Sequence, residues 1–352
     1  MFFILTSNHN LNRDELLENV HYDTWQPFTI NSRIFYASRR VQRFKTIKRI
    51  IEAVQPDVIY INGIYSPFFT LLPLWYIMKS KHKPAVVLAP WGMLNKRALS
   101  IKRLKKKIYL LLFNLLGFSQ NIQWHATNEE EKDDILRVFG QKERVAIADA
   151  IPDNKPVPFY PIAKTNKIFR LITVSLITSN KGHLRVLKAL HELQDEIQAE
   201  YHIYGPIKDP IFWQTCLQEI ETMKNSIKVF YHGFLNPQDL LPTLLKCHVF
   251  ILHSSFESFC QAIYEALTAG RPVITSDQTP WNGLQETKAG WNVKLNDLSC
   301  LKDTIKEACC MSQAKYDELC KGAREKAKRF VAESNFEKQY DALFNTPRFY
   351  NA

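Results

Sequence analysis

No aspartate or glutamate occurs between Val58 and Asn128 of this 352-residue chain, although ten lysines or arginines do. That stretch carries nearly the whole formal excess of +11, and a field of one sign suits phosphate groups, a membrane surface or nucleic acid. No cysteine precedes Cys216, and the seven in the chain form no Cys-x-x-Cys pair. An odd count without metal-ligand spacing argues against a disulfide framework and for reduced thiols in a cytoplasmic protein. Met1 leads into "FFILTSN" without a basic start or a small-residue cleavage site, so no signal peptide is expected. The longest apolar runs, 66–78 and 108–118, fall short of the roughly 18–20 residues that span a bilayer. RNP, zinc-finger and helix-turn-helix patterns are missing as well, and nucleic acid is not an expected partner.

What is present is ordinary folded composition, 46% hydrophobic and 23% charged, at a length that suits two domains. Short β-rich runs alternate with helical patterns, the signature of parallel sheets covered by helices. The spacing predicts strands at 2–7, 33–38, 57–62, 85–90 and 122–127, then at 169–176, 200–205, 227–233, 248–254 and 272–277. Helical periods run over Phe44–Val54, Leu184–Leu193, Pro237–Lys246 and Leu301–Phe330. Four prolines and weak patterning mark 151–167 as the linker. The expected division is an N-terminal domain over 1–155, a second over 156–332, and a last helix within 333–352 that returns to the first. Ligands of such open sheets sit at the carboxyl ends of the strands.

The stretch "SSFESFCQAIYEALTAGRPVITSDQTPW" (254–281) reads as the end of a strand, a turn, a helix closed by Gly270 and the next strand. Free amides around Ser258, Phe259 and Cys260 would form an anion site at the helix start. Glu257 stands just outside that start and Glu265 two turns into the helix, reaching different parts of a long ligand. A phosphate group between two polyol ends is a sugar nucleotide. The plainer alternative is that Glu257 supports the helix dipole and Glu265 is solvated.

This stretch resembles the donor-binding segment of retaining GT-B glycosyltransferases of family four, in which two glutamates are separated by seven residues. Further segments resemble members that act on surface polysaccharides, among them "PDVIYINGIYSPF" (56–68), "APWGMLNKRALSIKRLKKKIYLLL" (89–112), "VSLITSNKGHLRVLKAL" (174–190) and "HIYGPIKDPIFWQTC" (202–216). The resemblance implies an α/β GT-B fold of two Rossmann-like domains facing a cleft. It also implies a metal-independent hexosyltransferase that moves a sugar from a UDP- or GDP-sugar to a surface glycan, of lipopolysaccharide or capsule type, or to a lipid-linked acceptor. Glu257 and Lys181 would carry the transfer, Glu257 bonding sugar hydroxyls and Lys181 the phosphate. Glu265 would bond the ribose, the amides around Phe259 and Cys260 would hold the distal phosphate, and Ser258, Gln261 and Gly205 would complete the nucleotide site. No metal and no cofactor beyond the donor is expected, and Asp-x-Asp is absent from the sequence.

Four departures from the family pattern stand out. Cys260 replaces the glycine that follows the phenylalanine of the glutamate motif, and Leu176 stands where many members have a phosphate arginine. Trp91 occupies the place of a histidine or arginine that faces the donor sugar. A first strand, glycine-rich loop and helix ahead of "FFILTSN" have no counterpart, so the alternative expectation is an inactive relative that binds nucleotide only.

In "SIKRLKKKIYLLLFNLLGF" (100–118), Ile101, Leu104, Ile108, Leu111, Leu112 and Leu115 recur at helical spacing, with Lys102, Arg103, Lys106 and Lys107 largely off that stripe. Two readings stand: a helix packed on the core, or a surface helix resting on anionic lipid at the inner face of the membrane.

Overall fold

Apolar runs buried on both faces give parallel strands, and apolar positions three and four apart give the helices that cover them. The computed structural model describes residues 1–9, 16–17, 20–153, 157–159, 162–164 and 168–345; much of the expected linker lies outside them. The chain divides into two compact units, one of Met1–Asp149 with the segment from Phe336 onward, the other of Ala150–Asn335.

In the first unit β1 (Phe2–Ser7), β2 (Trp25–Thr29) and β3 (Ser32–Ala37) form a three-stranded sheet of order β1-β3-β2. β1 runs parallel to β3, and β2 antiparallel to it. Helix α1 (Phe44–Val54) buries Thr46, Ile47, Ile50 and Ile51 on one stripe and ends at Gln55 in the left-handed region. A second, all-parallel sheet orders β4 (Val58–Asn62), β5 (Ala85–Ala89), β6 (Gln123–Ala126) and β7 (Arg144–Ile147). Its helices are α2 (Leu72–Lys79), α3 (Lys96–Ser100), α4 (Arg103–Leu115) and α5 (Glu129–Phe139). Trp124 of β6 is fully buried, stacked on Phe139 at 4.7 Å and packed against Phe113.

The second unit is built on a six-stranded parallel sheet of β8 (Phe169–Val174), β9 (Ala199–Tyr204), β10 (Ile227–Tyr231), β11 (Val249–Leu252), β12 (Val273–Ser276) and β13 (Gly290–Val293). Its order is β10-β9-β8-β11-β12-β13. The chain therefore winds outward from β8 in one direction, returns beside it at β11 and winds outward in the other, leaving a crevice beyond the ends of β8 and β11. The connecting helices are α6 (His183–Glu192), α7 (Pro210–Glu221), α8 (Pro237–Leu244), α9 (Gln261–Thr268), α10 (Leu298–Cys310) and α11 (Gln313–Glu333). Helix α12 (Phe336–Phe344) follows and packs on β5 and β7 of the first unit.

Three strands escaped the sequence reading: β2, β7 and β13. The helical period over Leu301–Phe330 is two helices, because Met311 turns extended and the Ser312 hydroxyl accepts from the Lys315 amide to start α11 afresh.

Candidate functional site

The loops leaving β8 and β11 carry most of the residues singled out in the sequence. Lys181 ends a short turn over Ser179–Lys181, and Gly182 follows at a φ of +82°. A Cβ at Gly182 would lie 2.1 Å from the His253 carbonyl oxygen, so only glycine lets α6 begin this close to the end of β11. The Asn180 carbonyl accepts from the Ser254 hydroxyl at 3.1 Å and the Ser255 amide at 2.7 Å, fastening one loop to the other. Across this clamp the Lys181 Nζ donates to Glu257 Oε1 at 2.6 Å. The two side chains are 19% and 9% exposed, so the pair is poorly screened by water.

Beyond Glu257 and the half-buried Ser258, the chain is held by its aromatic residues. Phe259 packs against Trp281, Tyr264 and Phe330, and its carbonyl accepts from the Trp281 indole at 2.6 Å. Cys260 then adopts φ 64°, ψ 75°, the left-handed region in which the resembling family carries glycine. Burial, then the Glu257 charge, pushes the Cys260 thiol above its ordinary value, so it is held as a neutral thiol. No side chain caps α9. In contrast, Asn128, Asp209, Asp297 and Ser312 each accept from a backbone amide at the starts of α5, α7, α10 and α11. The start of α9 thus presents amide donors and positive dipole with no side-chain cap on them, and the nearby Glu257 carboxylate is held by Lys181.

From the first residue of α9 the Gln261 side-chain amide donates weakly, at 3.4 Å, to Oε1 of Glu265, which stands one turn into the helix and not two. Burial, with a smaller contribution from the Asp153 carboxylate, raises the Glu265 pKa to about 6. Gly205 meets the start of the β8 loop instead. Its Cβ would fall 1.9 Å from the Ser175 carbonyl oxygen, while its amide donates to Gly233 and its carbonyl accepts from the Tyr231 hydroxyl. The close approach of neighbouring strand ends accounts for that glycine.

Arg185 was not singled out in the sequence. Its guanidinium donates to the His253 carbonyl at 2.6 Å and to His253 Nδ1 at 3.1 Å, bringing a second cation to the end of β11. The available signal was its position one helical turn after Lys181 in "NKGHLR". Leu176, at the expected arginine position, contributes a carbonyl that accepts from buried His183.

The first unit gathers a cluster of its own at the carboxyl end of β4–β6. Trp91 and Gly92, at φ 51° and 74°, form a tight turn closed by the Met93 amide donating to the Pro90 carbonyl. A left-handed tryptophan is a strained residue. It is held by its indole donating to Asn62 Oδ1 at 3.0 Å, by an edge contact with His125, and by the Gly92 amide donating to buried Glu131. His125 Nε2 lies 2.8 Å from the Ala148 carbonyl, which can only accept, so Nδ1 accepts from the Tyr60 hydroxyl at 2.6 Å. Burial lowers the His125 pKa.

Residues 160–329 match the protein family described as Glycosyl transferases group 1. This segment belongs to that group of glycosyltransferases. A curated relative, the poly(glycerol-phosphate) alpha-glucosyltransferase of Bacillus subtilis, is 24% identical over 221 residues, 57% of this chain. The match spans about a third of that relative's length, 32%. Among solved structures, sucrose-phosphate synthase from Thermosynechococcus elongatus has a TM-score of 0.70 at 16% identity, covering 97% of this chain and 89% of that one. Anabaena HepE in complex with UDP and glucose has 0.67 at 14%, covering 90% and 85%. A Staphylococcus aureus TarM variant in complex with UDP and alpha-GlcNAc-glycerol has 0.61 at 16%, covering 86% and 59%. The chain has the GT-B fold. No helix among the described residues is long and apolar enough to cross a membrane.

Proposed function

We propose that this protein is a glycosyltransferase that moves a hexose from a UDP-sugar to a surface glycan or its lipid-linked precursor, with retention of configuration and without a bound metal. The observation that carries the proposal is the Lys181–Glu257 pair beside the uncapped start of α9, with Glu265 further along the same helix. The bound UDP of HepE and TarM and the named activity of the Bacillus relative support a UDP-hexose over a GDP-sugar.

In this reading the second unit takes the donor and the first the acceptor. Glu265 accepts from the ribose hydroxyls, and the amides from Phe259 to Gln261 receive the distal phosphate. Lys181 and Arg185 neutralise the diphosphate, and Glu257 accepts from the sugar hydroxyls. The bond from the anomeric carbon to the phosphate oxygen breaks with its electron pair left on that oxygen. The acceptor hydroxyl oxygen bonds the anomeric carbon on the same face, and its proton passes to the departing phosphate. Positive charge and fixed amides lower the barrier by meeting charge that grows on the leaving group.

The test is thermal unfolding with UDP, GDP and their hexose conjugates, followed by assay of hexose release and transfer in EDTA. Ligand at a hundred times its dissociation constant adds about 2.7 kcal/mol of stability. Stabilisation by UDP-hexose that is lost in Glu265→Ala, with turnover insensitive to EDTA, is expected. Stabilisation without turnover would leave a nucleotide-binding protein, and no stabilisation by any nucleotide would overturn the site.

A further inference from the structure

The apolar stripe of α4 does not enter the core. Ile101, Leu104, Ile108, Leu111, Leu112 and Leu115 are all exposed, by 51% to 73%, so this stripe is not the face by which the helix packs on the core. Leu110 and Phe113 are what α4 buries, on the opposite face. At 3.6 residues per turn, Arg103 and Lys107 fall between the two faces along one flank, and Lys105 borders the exposed stripe on the other. The exposed leucines therefore form a ridge with cations on both sides.

Along the Arg103–Lys107 flank runs a cavity of about 630 Å³ between α4, α3 and α5. Its cationic lining is Lys96, Arg103, Lys106, Lys107 and Arg137, and its apolar lining includes Leu99, Leu110 and Val138. Arg137 is tied to Asp134 and the Leu94 carbonyl, and Lys106 to the Ala98 carbonyl. Neither α3 nor α4 contains a carboxylate that could neutralise Lys96, Arg103 or Lys107. The placement opposes local helix stability, since α4 opens on cations with no acidic residue in its first turn, whereas α5 opens on Glu129, Glu130 and Glu131.

We infer that α3 and α4 form a docking surface for an anionic bilayer, the leucine ridge entering the headgroup and acyl boundary while the adjacent basic cavity receives a lipid phosphate. Charge complementarity selects the occupant: a protein partner or a second copy would cover the leucines equally well but would bring no anion to Lys96, Arg103 and Lys107 at the cavity. The ridge and the cations act together, because burial of apolar area and attraction to anionic lipid add in an interfacial helix.

The experiment is co-sedimentation of the whole chain with vesicles of phosphatidylcholine alone or with one third phosphatidylglycerol, at low and high salt. Two paired variants keep the buried face intact: Leu104→Ser with Leu115→Ser, and Arg103→Glu with Lys107→Glu. Binding is expected only with phosphatidylglycerol, weakening with salt. Loss of each basic residue costs about fivefold in partitioning, so the charge variant should bind at least roughly 25-fold more weakly, and the serine variant more weakly than the parent. Light scattering of the free chain supplies the counter-test. A dimer dissolved by the serine pair would assign the ridge to a second copy and overturn the proposal. So would equal binding to both vesicle types, or binding that inorganic phosphate alone abolishes while the serine pair leaves it unchanged.

Discussion

Lys181 and Glu257, from loops that leave different strands of the second unit, meet at 2.6 Å where the strand order reverses. Without nucleotide each neutralises the other; in the proposed complex the lysine turns to phosphate and the carboxylate to sugar.

A double-mutant cycle of Lys181→Met and Glu257→Gln tests this exchange. Denaturant unfolding without ligand should give a coupling of about 1–3 kcal/mol, in the range of contacting residues. Repeated in saturating UDP-hexose, the coupling should shrink to under about 0.5 kcal/mol, because the ligand has taken both partners. Lys181→Met should also lower kcat by roughly 10²–10³, the usual effect of removing one group that stabilises a leaving anion. Coupling of equal size with and without ligand would mean that the pair is purely structural.

The second prediction concerns protons. Glu265 has a pKa of about 6 in the free protein because burial disfavours its charge. A ribose hydroxyl donates to the carboxylate form and pulls that pKa down, so binding near pH 6 must release protons. UDP-hexose is the ligand to use, since its diphosphate has no proton to lose in this range. Calorimetry in buffers of different ionisation enthalpy should detect release of up to about half a proton at pH 6, with affinity falling toward tenfold per pH unit below it. Glu265→Gln should abolish both effects. A pH-independent affinity in the parent between pH 5 and 7 would remove Glu265 from the ribose.

How much of this was legible beforehand depended on whether a residue's role was local. Helix α1 and strand β1 have the residue limits that their periodicity predicts, since an amphipathic stripe and a β-rich run are complete within the segment. Strands β7 and β13, "RVAI" and "GWNV", lack the continuous apolar run that made the equally short β11 legible, and their pairing partners are supplied by the sheet. The exposure of the α4 ridge was not legible either, because periodicity shows that a stripe exists but not which of two apolar faces the core takes. The spacing of Glu257 and Glu265 showed along the sequence, whereas Lys181 stood out only by resemblance. Its partnership with Glu257 spans 76 positions. Asn62, Trp91 and His125 likewise share no local pattern, and only the parallel order of β4, β5 and β6 sets them side by side.

Cys260 supplies a third prediction. A left-handed residue with a Cβ carries roughly 1–2 kcal/mol of strain, part of which glycine would return as extra freedom in the unfolded chain. Cys260→Gly should therefore stabilise the protein by about 0.5–1 kcal/mol, while Cys260→Val, β-branched in the same conformation, should destabilise it. With its thiol held neutral, Cys260 should also react with iodoacetamide far more slowly than the exposed Cys300 and Cys310. Mass spectrometry of the partly alkylated protein gives that order directly, and early labelling of Cys260 would contradict the site as described.

The last prediction follows from histidines that the fold buries without charge. His183, His248 and His253 are each at most 2% exposed, and burial, with nearby cations, lowers their pKa values to about 4. The unfolded chain binds their protons near pH 6.5, so the stability they contribute is complete above that pH and is lost as the pH falls toward 4. Glu265 acts in the opposite sense between about pH 4.5 and 6, because its raised pKa makes the folded chain the better proton binder. Three histidines against one carboxylate leave unfolding with a net uptake of at least about two protons near pH 5, or at least about 2.7 kcal/mol of stability lost per pH unit, and His125, His202 and His232, which burial also lowers, add in the same sense. Urea midpoints measured from pH 7 to 5 should fall accordingly. His253→Asn, whose side-chain oxygen can still accept from Arg185, should flatten the slope by about one proton. A stability that stays level over this range would show that these histidines are already charged in the folded protein, and that the ends of β8 and β11 are wetter than their burial describes.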